Sequence, residues 1–105
     1  MRQHTTKEQT FHLIELGFPR PDSISEVNYF DDAYTTETEL EYDYSIGELL
    51  SFLDKYIEDP AEELLVWRDT IFWYVRLSSD VVGAGYDTEL INALYNYLVL
   101  LKEEE

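Results

Sequence analysis

A chain of 105 residues without a cysteine is one domain, large enough to close a core without staples, and it has no disulfide, thiolate chemistry or cysteine-containing zinc site. Seven bases against 23 acids leave a net charge of −16, a field that repels nucleic acid and anionic lipid and so argues against direct binding to either. With 45% hydrophobic and 15% aromatic residues the chain is too apolar for disorder, except at residues 1–5 and 103–105, where fraying is expected.

Thr6-Lys7-Glu8-Gln9 is a capping box, and Phe11, Leu13 and Ile14 supply the apolar face of the helix it opens. Gly17 is placed to end that helix, and the prolines of GFPRPD prevent its continuation. After a loop to about Ser25, Val27 to Tyr34 reads as a weak strand. Thr38 to Tyr44 is a clearer one: Leu40, Tyr42 and Tyr44 fall on one side, for the core, and Glu39, Glu41 and Asp43 on the other, for water. Ser45-Ile46-Gly47-Glu48 is a second capping box, with Tyr44 ahead of it as a staple to Leu49; Ile46, Leu49, Leu50 and Leu53 then recur at helical spacing to about Tyr56.

Asp59-Pro60-Ala61-Glu62 has the chemistry of a helix start, yet ELLVWRDTIFWYVRL is too apolar for one face of a surface helix and is rich in aromatic and β-branched residues. A hairpin is therefore expected. Its turn lacks the glycine of a tight two-residue loop, which favours four residues, with Trp67 opposite Phe72, Val66 opposite Trp73, Leu65 opposite Tyr74 and Glu63 opposite Arg76. Ser78 to Tyr86 reads as a glycine-containing loop. Asp87 or Thr88 then starts a last helix, with Leu90, Ile91, Leu94, Leu98 and Leu101 as its stripe. The expected fold class is α+β, a single small domain in the order helix, hairpin, helix, hairpin, helix, with antiparallel strand pairs packed against helices.

The segments TKEQTFHLIELGFPRP, YSIGELLSFL and DTELINALYNYLVLLKEEE resemble blocks of a family of small acidic uncharacterised proteins from prophage-like and other mobile elements of gut bacteria. The resemblance spans nearly the whole chain and implies a hairpin between the second and third blocks. The uncharged GAGY ahead of the third block departs from the pattern. What the resemblance implies is organisation and genomic context; it assigns no catalytic or binding residue.

The inventory for catalysis is thin. His4 lies in the terminal segment, His12 sits beside Phe11 and Leu13 on the first helix, and no phosphate loop, HExxH, calcium loop or GxSxG is present. Asp31 and Asp32 with Glu37, Glu39 and Asp43 offer oxygens to a hard cation, but alternate strand residues lie about 6.6 Å apart, too far for neighbours to share one ion. No enzyme, metal or cofactor is expected. The N-terminus MRQHTTKEQT holds no apolar run, and IFWYV and YLVLL are too short to span a bilayer, so neither a signal peptide nor a membrane span is expected and cytoplasm is the expected compartment.

Two surfaces remain. Glu37, Glu39, Glu41 and Asp43 place carboxylates at every second residue, in a segment, Asp22 to Glu63, that carries 14 acids and one base. Such a row is either the wet side of a strand or, at a repeat close to that of phosphates along DNA, the surface of a DNA mimic that blocks a host nucleic-acid-binding enzyme. In the hairpin, Trp67, Phe72, Leu65 and Tyr74 share one face while Leu64, Val66, Trp73 and Val75 share the other, and helices cover both or leave one as an apolar patch. The expected function is non-catalytic protein–protein interaction in a bacterial or prophage setting, with another protein, possibly basic, or a second copy as partner.

Overall fold

A computed structural model describes residues 2–31, 35–80 and 83–104, and for residues 25–31 and 35–41 the course of the backbone alone. In chain order the elements are α1 (Lys7–Glu15), β1 (Ile24–Asp31), β2 (Thr35–Tyr42), α2 (Ile46–Asp54), β3 (Leu64–Arg68), β4 (Trp73–Leu77), β5 (Gly85–Asp87) and α3 (Leu90–Glu103). The domain is α+β. β1 and β2 form a two-stranded antiparallel ribbon, and β3, β4 and β5 form a three-stranded antiparallel sheet in that order.

Local chemistry sets the helix ends. Thr6 and Gln9 satisfy each other's backbone N–H groups at the start of α1, and Ser45 and Glu48 do the same for α2. α1 stops at Gly17, whose φ of 101° only glycine adopts cheaply: the Gly17 N–H donates to the Ile14 carbonyl and the Phe18 N–H to that of Leu13. The Glu48 carboxylate also accepts the Asp22 N–H at 3.0 Å. Burial raises its pKa, but hydrogen bonds from Ser23, Asp22 and Ser45 outweigh this and hold it below the usual carboxylate range.

The buried cluster joins Leu13 of α1, Tyr44, Leu49, Phe52 and Leu53 around α2, Val75 and Leu77 of β4, and Ile91, Ala93, Leu94, Tyr97 and Leu98 of α3. α3 contributes most because it lies across β4 and β5. Its buried face includes Ala93 and Tyr97, which a leucine stripe alone does not reveal. Tyr97 ties helix to sheet: its hydroxyl accepts the Leu77 N–H at 2.9 Å and donates to Asp80 Oδ2 at 2.7 Å. Burial pushes that phenol well above its ordinary pKa.

The structure corrects two expectations, the register of the hairpin and the end of the loop over residues 78–86. Asp59 and Pro60 begin a turn, with the Glu62 N–H donating to the Asp59 carbonyl, and no helix follows. The hairpin register is shifted by two residues: Trp67 lies opposite Tyr74, Val66 opposite Val75, Leu65 opposite Arg76 and Arg68 opposite Trp73. Its four-residue loop is Asp69 to Phe72, because the Asp69 carboxylate closes the turn. Of the loop expected over residues 78–86, residues 81 and 82 lie outside the described ones, and its end is strand β5, which makes the hairpin a three-stranded sheet. Of the strand expected over 27–34, residues 32–34 also lie outside the described ones.

The N-terminal segment is held where fraying was expected. His4 bridges Ser45, the Thr5 N–H donates to the Tyr44 carbonyl at 2.9 Å, and the Arg2 guanidinium donates to Gln9 Oε1 at 3.2 Å and to Asn92 Oδ1. Gln9 in turn donates to Asn92 at 2.8 Å, so one capping residue also links α1 to α3. At the other end α3 continues through Glu103, with Glu104 as its cap.

Backbone proximity makes Gly85 indispensable. A Cβ there would stand 2.4 Å from the Ala93 carbonyl oxygen and 2.6 Å from Tyr97 N and Cβ, atoms that cannot rotate away. Gly85→Ala is predicted to cost about 2–3 kcal/mol by forcing β5 off α3, read as a lowered urea midpoint; an unchanged midpoint would mean that β5 does not pack there.

Candidate functional site

β4 divides its side chains between two faces. Val75 and Leu77 enter the core with Trp73 packed beside them, while Tyr74 and Arg76 point to the other face. There the register does the assembling: Trp67 opposes Tyr74 and Tyr74 opposes Tyr86, which lines up three aromatic rings across three strands. The Trp67 and Tyr74 rings stack at 5.2 Å and 12°, and those of Tyr74 and Tyr86 at 6.2 Å and 30°. Phe72 meets Tyr74 and Tyr86 edge-on at 6.4 and 5.7 Å. The Arg76 guanidinium lies 5.9 Å from the centre of the Trp67 ring, and its Nη1 donates to the Asp80 carbonyl at 2.9 Å.

The row is open to solvent. Trp67 is 40% and Tyr86 58% exposed, Ile71 at the tip is exposed too, and Leu65, Phe72 and Tyr74 are half-buried, chiefly beside their neighbours in the row. Because rings on adjacent strands face one another, they stand on the sheet and turn their edges outward.

Asp69 fixes one end of the ridge. Its Oδ1 accepts the N–H groups of Ile71 and Phe72, both at 2.7 Å, and its Oδ2 accepts the Tyr74 hydroxyl at 2.7 Å. The backbone bonds from Phe72 and Ile71, then the Tyr74 hydroxyl, hold the Asp69 carboxyl below its ordinary pKa; the same hydroxyl bond raises that of Tyr74.

Of the residues singled out in the sequence, Trp67, Leu65 and Tyr74 share this face, and Phe72 reaches it from the loop instead of from a strand position opposite Trp67. Tyr86 and Arg76 complete it and were missed. A three-residue strand is too short to show a period, but Gly85, a residue that admits close backbone approach, marked the place.

The acidic row is broken. Glu37, Glu39 and Glu41 occupy positions of β2 opposite Tyr29, Val27 and Ser25. Asp43, expected on the wet side, is only 4% exposed: the strand ends at Tyr42, and the Asp43 carboxylate accepts the Thr10 hydroxyl and pairs with Lys7 Nζ at 3.4 Å. The Thr5 hydroxyl, 2.7 Å from that of Thr10, accepts the Tyr44 N–H. Tyr42, expected to pack on the core, is 55% exposed.

His12 pairs its Nδ1 with the Tyr95 hydroxyl, and the two rings meet edge-on at 5.8 Å. Asp32 lies outside the described residues; among those described, no group of three histidines or carboxylates could hold a metal ion, and no helix is long and apolar enough to cross a membrane. Comparison with protein-family models, with curated proteins and with solved structures finds no match to this chain.

A carboxyl held below its unfolded pKa supports its turn fully above about pH 4 and releases it as pH falls through the lowered value. The Ile71 and Phe72 amide resonances are therefore predicted to titrate together below about pH 4 in the natural chain and to stay flat in Asp69→Asn. Amides that ignore acid in both proteins would remove Asp69 as the clamp.

Proposed function

We propose that the protein is a non-catalytic interaction module of a bacterial mobile element or prophage, acting in the cytoplasm and binding another protein through its aromatic ridge. One observation carries this reading: Trp67, Tyr74 and Tyr86 are stacked in register on a sheet face outside the buried cluster. Aromatic residues pre-ordered by their neighbours lose little conformational freedom on binding, and Trp and Tyr dominate the energetics of protein contacts. We read the chain as helix, hairpin, helix, hairpin, helix, with β5 added to the second hairpin, and the likeness to small acidic mobile-element proteins supports that order and the setting. A DNA mimic is the weaker reading. With Asp43 buried, β2 supplies three alternate acidic positions, a short row for imitating phosphates.

The test is affinity capture from a bacterial lysate at about 50 mM and 500 mM salt, where the screening length falls about threefold. Capture through the ridge is expected to persist at high salt and to weaken at least tenfold in Trp67→Glu, with the fold intact by circular dichroism. Capture that vanishes with salt and ignores Trp67→Glu would point to the acidic ribbon instead.

A further inference from the structure

The three-stranded sheet has two edges, and among the described residues one of them is closed. Beside β5 lies α3, and Asn96 Nδ2 donates to the Tyr86 carbonyl at 3.2 Å, so a side chain occupies an edge acceptor there. β3 ends the sheet on the other side. The Ser78 N–H donates to the Glu63 carbonyl and the Asp69 N–H to that of Phe72, which turns the odd-numbered positions of this strand toward β4. By alternation, the backbone groups of Leu64, Val66 and Arg68 point away from the sheet. Val66, Trp67 and Arg68 are exposed, and Leu64–Arg68 contains no proline, lysine or acid to discourage a further strand.

The sequence of this edge is complementary to itself. With the two residues that lead into the strand, Glu62 to Arg68 reads EELLVWR, with acids at one end, a base at the other and apolar residues between. Laid antiparallel on a second copy about a two-fold axis through Leu65, Glu62 falls opposite Arg68, Leu64 opposite Val66 and Leu65 opposite itself. This register brings outward-pointing Leu64 to outward-pointing Val66, as a hydrogen-bonded pair requires. Both charged ends are already anchored. Glu62 Oε1 accepts the Ser79 N–H at 3.2 Å and the Ser79 hydroxyl, and the Arg68 guanidinium lies 5.6 Å from the centre of the Trp73 ring. Charge selects the same place: residues 64–79 hold Arg68, Arg76 and Asp69 as their only charged residues, in a chain where two copies of net charge −16 otherwise repel.

We propose that a second copy of this chain pairs with β3 in this register, giving a six-stranded antiparallel sheet with both aromatic ridges on one face. The dimer builds on the open face described above but needs no third protein.

Sedimentation velocity of the whole chain from about 1 to 200 µM tests it, a span that reads dissociation constants in the micromolar range. The natural chain is expected to form a dimer that dissociates on dilution. Arg68→Glu and Glu62→Arg should each weaken it at least tenfold, and Glu62→Arg with Arg68→Glu should restore it, because the swapped charges again oppose. Circular dichroism checks that each variant is folded. A natural chain that stays monomeric throughout, or a double variant no better than either single one, overturns the proposal. Tyr86→Glu lies two strands from the seam and should leave the dimer intact; a dimer lost on that change overturns the edge assignment. Failure of the ridge as a binding surface would appear in lysate capture and leave sedimentation unchanged, so the two ideas fail separately.

Discussion

The contact between Gly85 and the backbone of α3 is the constraint on which the rest of the arrangement depends. Helix and strand meet where a Cβ would stand 2.4 Å from the Ala93 carbonyl oxygen, so β5 lies closer to the helix than a residue with a side chain at position 85 would allow. That contact decides which face of the sheet is core. Val75, opposite Gly85 in the register, is then buried with Leu77, and every residue of opposite parity on β4 must face away from α3. The aromatic ridge is the geometric consequence of choosing one face for burial in a sheet whose two faces are both apolar.

Polar ties keep the choice fixed. Tyr97 fills both hydrogen-bonding roles of its hydroxyl between Leu77 and Asp80. Asp87 accepts the Glu89 N–H and the Asn92 side chain at the head of α3; burial raises its pKa, and these bonds outweigh burial and lower it. The N-terminal segment reaches the same helix through Arg2 and Gln9 on Asn92. Around α2, Tyr44 is buried, edge-on to Phe52 at 5.5 Å, and its phenol, bonded to the Pro19 carbonyl, is pushed up to about 12 by burial and the nearby Glu48.

What was legible in the sequence was local. Both capping boxes, the Gly17 stop and the strand character of LLVWR and WYVRL follow from residues within a few positions of one another. The hairpin faces came out with the correct parity despite the wrong register, since a slip of two residues preserves sidedness. The register depended on the Asp69 carboxylate capturing two N–H groups, which reads in sequence only as a polar interruption. Asp43 was misplaced by extending the alternation one residue past the end of β2, into a segment whose environment is set by Thr5, Thr10 and Lys7. The anchoring of the N-terminus rests on bonds to residues about 40 and 90 positions away, which no local pattern announces.

The central claim is that α3 buries one face of the sheet and leaves the Trp67 ridge in water. The most direct measurement is fluorescence of a Trp73→Phe variant, in which Trp67 is the sole tryptophan, at a concentration low enough to keep the chain monomeric. Acrylamide, being neutral, is not repelled by the acidic surface. Red-shifted emission with ready acrylamide quenching, below that of the unfolded chain because one face of the ring is stacked on Tyr74, is the predicted result. Blue-shifted emission protected from acrylamide would place Trp67 in the core and contradict the account.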